Sequence, residues 1–188
     1  MSYFADNPCC YSGPDAGWVQ AAPFRAWLAH LSDATGFDPL TIAVAVGMPT
    51  RVARSLAAGN IRPRRIRAVD ALNLISMSPS SIEALGKMLA DATPARQSLA
   101  DLGPWCPDSD NLIRLTGMSA EVASGLLDGW LDVCQKWVVW RCIALAQDIT
   151  RRRTLAALTE ANWCGRPDEP ADDFLGDDAF EKSAALAA

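Results

Sequence analysis

DPLTIAVAVGMPTRVARSLAAGNIRPRRIRAVDALNLI, residues 38–75, carries the spacing of two short helices joined by a tight turn. Asp38 supplies an N-cap and Pro39 an N1 residue for the first helix, and Ile42, Ala43 and Val46 recur as its buried face. Ala43 is small where the helices touch most closely, and Gly47 can take the positive φ that the turn requires. A second helix follows Met48-Pro49-Thr50, with Ala53 and Leu56 facing inward and Gly59 closing it. Thr50, Arg51, Arg54 and Ser55 are left on the outer face. A third helix is expected to start at Pro63, with Ile66, Val69, Leu72 and Leu74 as apolar contacts and arginines around its start.

Charge gives this stretch a direction. Between Pro39 and Val69 there are six arginines (51, 54, 62, 64, 65, 67) and no Asp or Glu. The chain as a whole has 17 basic and 22 acidic residues, so the remainder carries 11 against 22, or −11. Concentrating positive charge in one segment of an acidic protein points to a polyanion as partner. The plainer alternative is a solvated arginine face on an ordinary three-helix domain.

The 188 residues, half of them hydrophobic, suffice for one or two small domains with a packed core. With no apolar run of transmembrane length and no signal peptide at the start, the chain is expected to be soluble and cytoplasmic, with no membrane partner. Residues 1–22 lack periodicity and are expected to form an irregular arm. The arm has no Lys or Arg before Arg25, which speaks against a minor-groove role. Pro23 to Thr35 makes the first supporting helix, with Phe24, Trp27, Leu28 and Leu31 on one face and Gly36 ending it. His30, the one histidine, sits beside that face as an ordinary helix position. Further on, Ser80 and Glu83 have capping-box spacing and predict a helix to about Ala92, and a second short helix runs from Thr93-Pro94 through Leu102.

An internal repeat extends the pattern. GMPTRVARSLAAG at 47–59 returns as GMSAEVASGLLDG at 117–129, with Asp38 and Ile42 matched by Asp108 and Leu112 at the same offset of 70 residues. The second copy carries Glu121 and Ser124 where the first has Arg51 and Arg54, so phosphates would be repelled there. It is expected to keep the fold and to serve packing, dimerisation or partner binding. Residues 132–161 contain neither Pro nor Gly and predict a long helix with a wide apolar face, Val133, Trp137, Trp140 and Ala144 forming one stripe. Five of the seven tryptophans (105, 130, 137, 140, 163) lie in this half. Such a stripe is normally core, while an incompletely covered face there, with Trp130, Trp137 and Trp140, is a candidate protein-interaction surface. Arg151-Arg152-Arg153 forms a compact basic cluster on the same helix.

Metal and catalytic chemistry find no footing. The six cysteines (9, 10, 106, 134, 142, 164) include no CxxC and only one histidine is available to complete a site, so small buried thiols are the leading reading and no metal or cofactor is expected. No nucleophile–base pair or phosphate-binding glycine loop appears, so an enzyme is not expected. Between Pro167 and Lys182 lie seven acids (168, 169, 172, 173, 177, 178, 181), the composition of a disordered tail that competes with DNA for the arginines or serves solubility.

Taken together, WVQAAPFRAWLAHL, the IAVAVGM turn, RPRRIR, ATPARQSLADLG and the closing RRRTLAALTEANW resemble a family of actinobacterial and actinophage regulators with two helix-turn-helix modules. The resemblance covers about residues 18–175. It implies sequence-specific binding of double-stranded DNA and transcriptional regulation, with Thr50, Arg51, Arg54 and Ser55 as base readers. Pro49 stands where such turns usually place a Ser or Thr cap.

The expected architecture is all-α, with tandem helix-turn-helix modules at 23–78 and 104–164, a helical connector at 79–103, an arm at 1–22 and an acidic tail at 165–188. Thr41, Arg62, Arg64, Arg65 and Arg67 are assigned to phosphates, and Arg51 and Arg54 to guanine edges. A single half-site binds weakly, so a homodimer or a transcription-machinery partner is expected. The rival expectation is an interaction adaptor with the same fold, docking through its Trp-rich half onto a transcription factor or RNA polymerase.

Overall fold

The computed structural model describes residues 17–59 and 63–164, and for 161–164 the backbone only. It is helical apart from two short ribbons. Strand β1 (Trp18–Gln20) leads into α1 (Ala22–Thr35), α2 (Pro39–Ala45) and α3 (Thr50–Ala57), followed by β2 (Arg65–Arg67) and α4 (Ala68–Ile75). After α5 (Pro79–Lys87) the same order returns as β3 (Leu89–Asp91), α6 (Thr93–Ala100), α7 (Ser109–Thr116), α8 (Ala120–Leu127), β4 (Val133–Gln135) and α9 (Lys136–Cys164). The described chain falls into two units, 17–151 and 152–164, the latter being the far end of α9. Among the described residues no helix is long and apolar enough to cross a membrane. The expected arm before residue 17, Arg62 and the acidic tail lie outside the described residues.

The α2–α3 and α7–α8 pairs form as their spacing predicts. Asp38 accepts from the Leu40 N–H at 3.2 Å and Asp108 from the Asn111 N–H at 2.8 Å, each capping its helix. Gly47 (φ 71°) turns the chain so that the Met48 N–H reaches the Ala43 carbonyl at 2.8 Å, and Gly117 (φ 75°) occupies the same place in the second pair. Ala53 and Leu56 are buried as expected, as are Ala123 and Leu126.

The third helix does not begin at Pro63. Residues 65–67 are a strand, antiparallel to β1, with Val19 opposite Ile66. Alternation explains it: Ile66 is buried while Arg65 and Arg67 point outward, a period of two that a helix cannot provide. Arg25 donates to the Pro63 carbonyl at 2.6 Å and the Ala68 N–H donates to the Gly17 carbonyl at 2.7 Å, which fixes both ends of the strand. Val69 and Leu72, expected inside, are 51% and 61% exposed, and the inner face of α4 is Asp70, Ala71 and Leu74. The arm expected through Ala22 likewise ends in strand β1. The cap of α5 is Ser78, which accepts from the Ser81 N–H, rather than Ser80, and the helix stops at Lys87 because β3 must pair with β4.

Two cores result. The first gathers Leu28, Leu31, Ile42, Leu56, Ile66 and Leu74, and the second Leu99, Leu102, Leu112, Leu126, Val138 and Cys142. Each fully buried Leu or Ile contributes on the order of 2 kcal/mol. Helix α9 serves both: Val138, Val139, Cys142 and Ala146 enter the second core, Trp140 enters the first, and Trp137 packs against each. Arg141 closes the seam, pairing with Asp38 at 2.9 Å and donating to Thr41 Oγ1 at 3.2 Å and the Leu115 carbonyl at 2.7 Å.

Cys134 and Cys142 are buried in the second core, with Cys106 packed against it, and burial pushes all three thiols up. For Cys142 the shift runs from the ordinary 9.0 to about 12. The folded state therefore holds the thiol neutral while the unfolded chain ionises it, so this contribution to stability is present below pH 9 and is lost as pH rises toward 12. Native protein at pH 8 is expected to leave Cys142 unmodified by a thiol reagent that labels it after denaturation, and the urea midpoint is expected to fall above pH 9. Rapid native labelling of Cys142 would contradict its placement.

Candidate nucleic-acid interface

The arginine-rich segment folds into one cleft. Pro49, Arg51, Val52 and Ser55 of the α3 side, Trp18, Arg65 and Arg67 of the ribbon, and Arg151 of α9 enclose about 320 Å³. One acid, Asp70, lies in the lining, and it is buried and held by Arg67 at 3.4 Å. Among the described residues, the guanidinium groups of Arg51, Arg64 and Arg151 make no hydrogen bond or ion pair with the chain. Several others serve structure. Arg96, for example, donates to the Gly129 carbonyl at 2.5 Å, as Arg25 does to Pro63 in the first half. Arg51 and Arg151 also line a neighbouring trough of about 660 Å³ between α3, α6 and α9, so the two cavities meet at that pair.

Side chains expected to act together are divided. Thr50 donates to Gln147 Oε1 of α9 at 2.7 Å, and Arg54 is ion-paired with Asp148 on the same helix. Ser55 donates to the Arg51 carbonyl at 2.9 Å, one turn back. Arg51 alone of the four stands clear on the exposed face. Thr41 is 1% exposed and accepts from Arg141, so its hydroxyl faces the seam and no phosphate reaches it. Arg64, Arg65 and Arg67 are exposed.

The tryptophans are placed differently from the stripe expected on the long helix. Val133 belongs to β4, Trp140 is buried in the first core, and Trp137 stacks on Phe37 at 6.4 Å while donating to Gln135 Oε1. Trp130 remains 55% exposed, its ring lying over Gly125, where an added Cβ would meet it at 3.1 Å. In the second half Ser124 donates to Asp128 at 2.8 Å, and Asp91, whose carboxyl the Thr93 N–H and hydroxyl hold below its ordinary value, stands on the ribbon.

The ribbon residue Trp18 joined the cleft without being expected there, and Arg151, from a basic cluster whose default reading is a solvated face, lines it too. RIR alternates in polarity, which was the signal for the second strand, whereas WVQ, two apolar residues and then a polar one, does not. Nothing in the sequence brings Arg151 to Arg51. Among the described residues no cluster of His, Cys, Asp or Glu could hold a metal. Comparison with protein-family models, curated proteins and solved structures finds no match for this chain.

Helix α9 thus sets which α3 side chains are open. Removing one member of the half-buried Arg54–Asp148 pair strands the other charge, so Asp148→Ala is expected to lower stability by about 1–3 kcal/mol. Urea denaturation of Asp148→Ala, Arg54→Ala and the double variant checks this. Additive losses with no coupling would show the pair to be idle.

Proposed function

We propose that this chain is a DNA-binding protein that regulates transcription, of the tandem helix-turn-helix kind to which its sequence bears resemblance. The cleft carries the reading: Arg51, Arg65, Arg67 and Arg151 converge from three elements, and the single acid among them is already engaged. A row of guanidinium groups matches phosphate oxygens, to which it can donate bidentately. The first turn of α3 supports it, since Pro49 offers no side-chain cap and leaves amides for a phosphate at the positive end of the helix. The second half keeps the same order of elements but presents Glu121 and Asp91 instead, and its role in this reading is to hold α9 in place. A second copy or a transcription-machinery partner adds the affinity that one half-site lacks. The adaptor reading loses support because the Trp137 and Trp140 rings are spent on contacts inside the chain.

Binding of the full chain to mixed-sequence duplexes, followed by fluorescence anisotropy across salt concentrations, tests the reading. At roughly 0.9 per phosphate contact, the four cleft arginines give a slope of log affinity against log salt of at most about −3.6 in magnitude, and fewer phosphate contacts give a shallower one. Arg151→Ala is expected to weaken all sequences alike and to flatten the slope by about 1. Absence of binding at low salt would end this reading.

A further inference from the structure

We propose that the β1–β2 ribbon, rather than the outer face of α3, reads the base edges; the proposal rests on the DNA-binding reading above. The ribbon's register puts Val19 and Ile66 inward and leaves Trp18, Gln20, Arg65 and Arg67 outward, with Trp18 opposite Arg67 and Gln20 opposite Arg65. A two-stranded antiparallel ribbon fits the major groove, where Arg pairs with guanine O6 and N7 and Gln with adenine N6 and N7. One outer face thus presents both side-chain types that make bidentate base contacts, on a backbone pinned at Pro63 and Ala68.

Helix α3 is less suited to the task. Its Thr50 and Arg54 are turned to Gln147 and Asp148, so α9 lies along the side that a helix inserted in the groove would need open. Arg51 and Arg151 stand beside the ribbon in the same cleft, positioned for the phosphates that flank a ribbon in the groove. The second ribbon has the same register and a different outer face: Leu89, Asp91, Val133 and Gln135. Two positions equivalent to Gln20 and Arg65 there are Asp91 and Val133, paired across the strands in the same way. The chemistry that separates the halves therefore lies on the ribbons as well as on the helices.

Selection of the full chain and its variants on random-sequence duplexes at about 50 mM salt tests this. The wild type is expected to enrich a motif. Gln20→Ala and Arg65→Ala are each expected to relax preference at one base position, roughly 5- to 150-fold, with the two positions adjacent in the motif. Gln20 is an exposed strand residue, so its variant keeps the test alive if Arg65→Ala melts early. A motif that shifts with Thr50→Ala or Arg51→Ala and ignores Gln20→Ala and Arg65→Ala overturns the ribbon as reader while DNA binding stands. Retained DNA without any motif also overturns it. No DNA retained by the wild type removes the DNA reading itself, and the proposal with it.

Discussion

Helix α9 passes between two hydrophobic cores, and neighbouring side chains on it face opposite ways: Val138, Val139 and Cys142 into one, Trp140 into the other. Everything else in the arrangement of the halves depends on that sharing. Because the apolar face is wide, neither core can be completed without the helix, and the Arg141 fork is then held against Asp38, Thr41 and the Leu115 carbonyl. The same placement carries Gln147, Asp148 and Arg151 to α3. The geometry of the arginine cleft is therefore a consequence of core packing, and a variant that shifted α9 would alter both.

The two halves repeat more completely than the helices alone suggest. WVQAAPFRAWLAHL at 18–31 aligns with LADATPARQSLADL at 89–102, sharing Ala21 and Ala92, Pro23 and Pro94, Arg25 and Arg96, and Leu28 and Leu99. Each pair does one job. Ala21 and Ala92 are fully buried and donate to the Arg64 and Asp132 carbonyls at 2.9 Å, and each arginine binds a carbonyl upstream of the second strand in its half. An alanine with no exposed surface leaves no room for a larger side chain at the ribbon's root. The arginines satisfy loop carbonyls that would otherwise face the helix side unpaired.

What the sequence disclosed and what it hid follow from the range of the interactions involved. Caps, turn glycines and the i, i+3 burial of Ala53 and Leu56 are local, and spacing alone reveals them. The ribbons were hidden because three-residue strands carry too little alternation to stand out against an Arg-rich run beside a proline, and their partners lie some 45 residues away. The repeat offset also drifts, from 71 residues at the first strands to 70 at the helix pairs and 68 at the last strands, which masks the ends of the unit. The burial of Trp137 and Trp140 was legible, since a wide apolar face announces that something covers it, but only the tertiary fold says what. The Arg54–Asp148 pair joins residues 94 apart in sequence, beyond any pattern argument.

Divergence between the halves is concentrated where the chain does not need identity to fold. Ile66 and Cys134 fill the same central place in their ribbons, and Leu74 and Cys142 the same place in the helices that follow. The outward positions have moved freely, to tryptophan, glutamine and two arginines on one ribbon and to leucine, aspartate, valine and glutamine on the other. Had the arginines served only solubility, either half could have carried them, and interspersed acids would have done as well. Their segregation onto one ribbon, one helix start and one turn of α9, with the acid in the cleft lining buried and held by Arg67, concentrates positive charge in a concave place. In a chain of net charge −5 such a concentration repels itself, and it is stabilised when an anion occupies the cleft. That electrostatic imbalance is built on a packing scheme that both halves share.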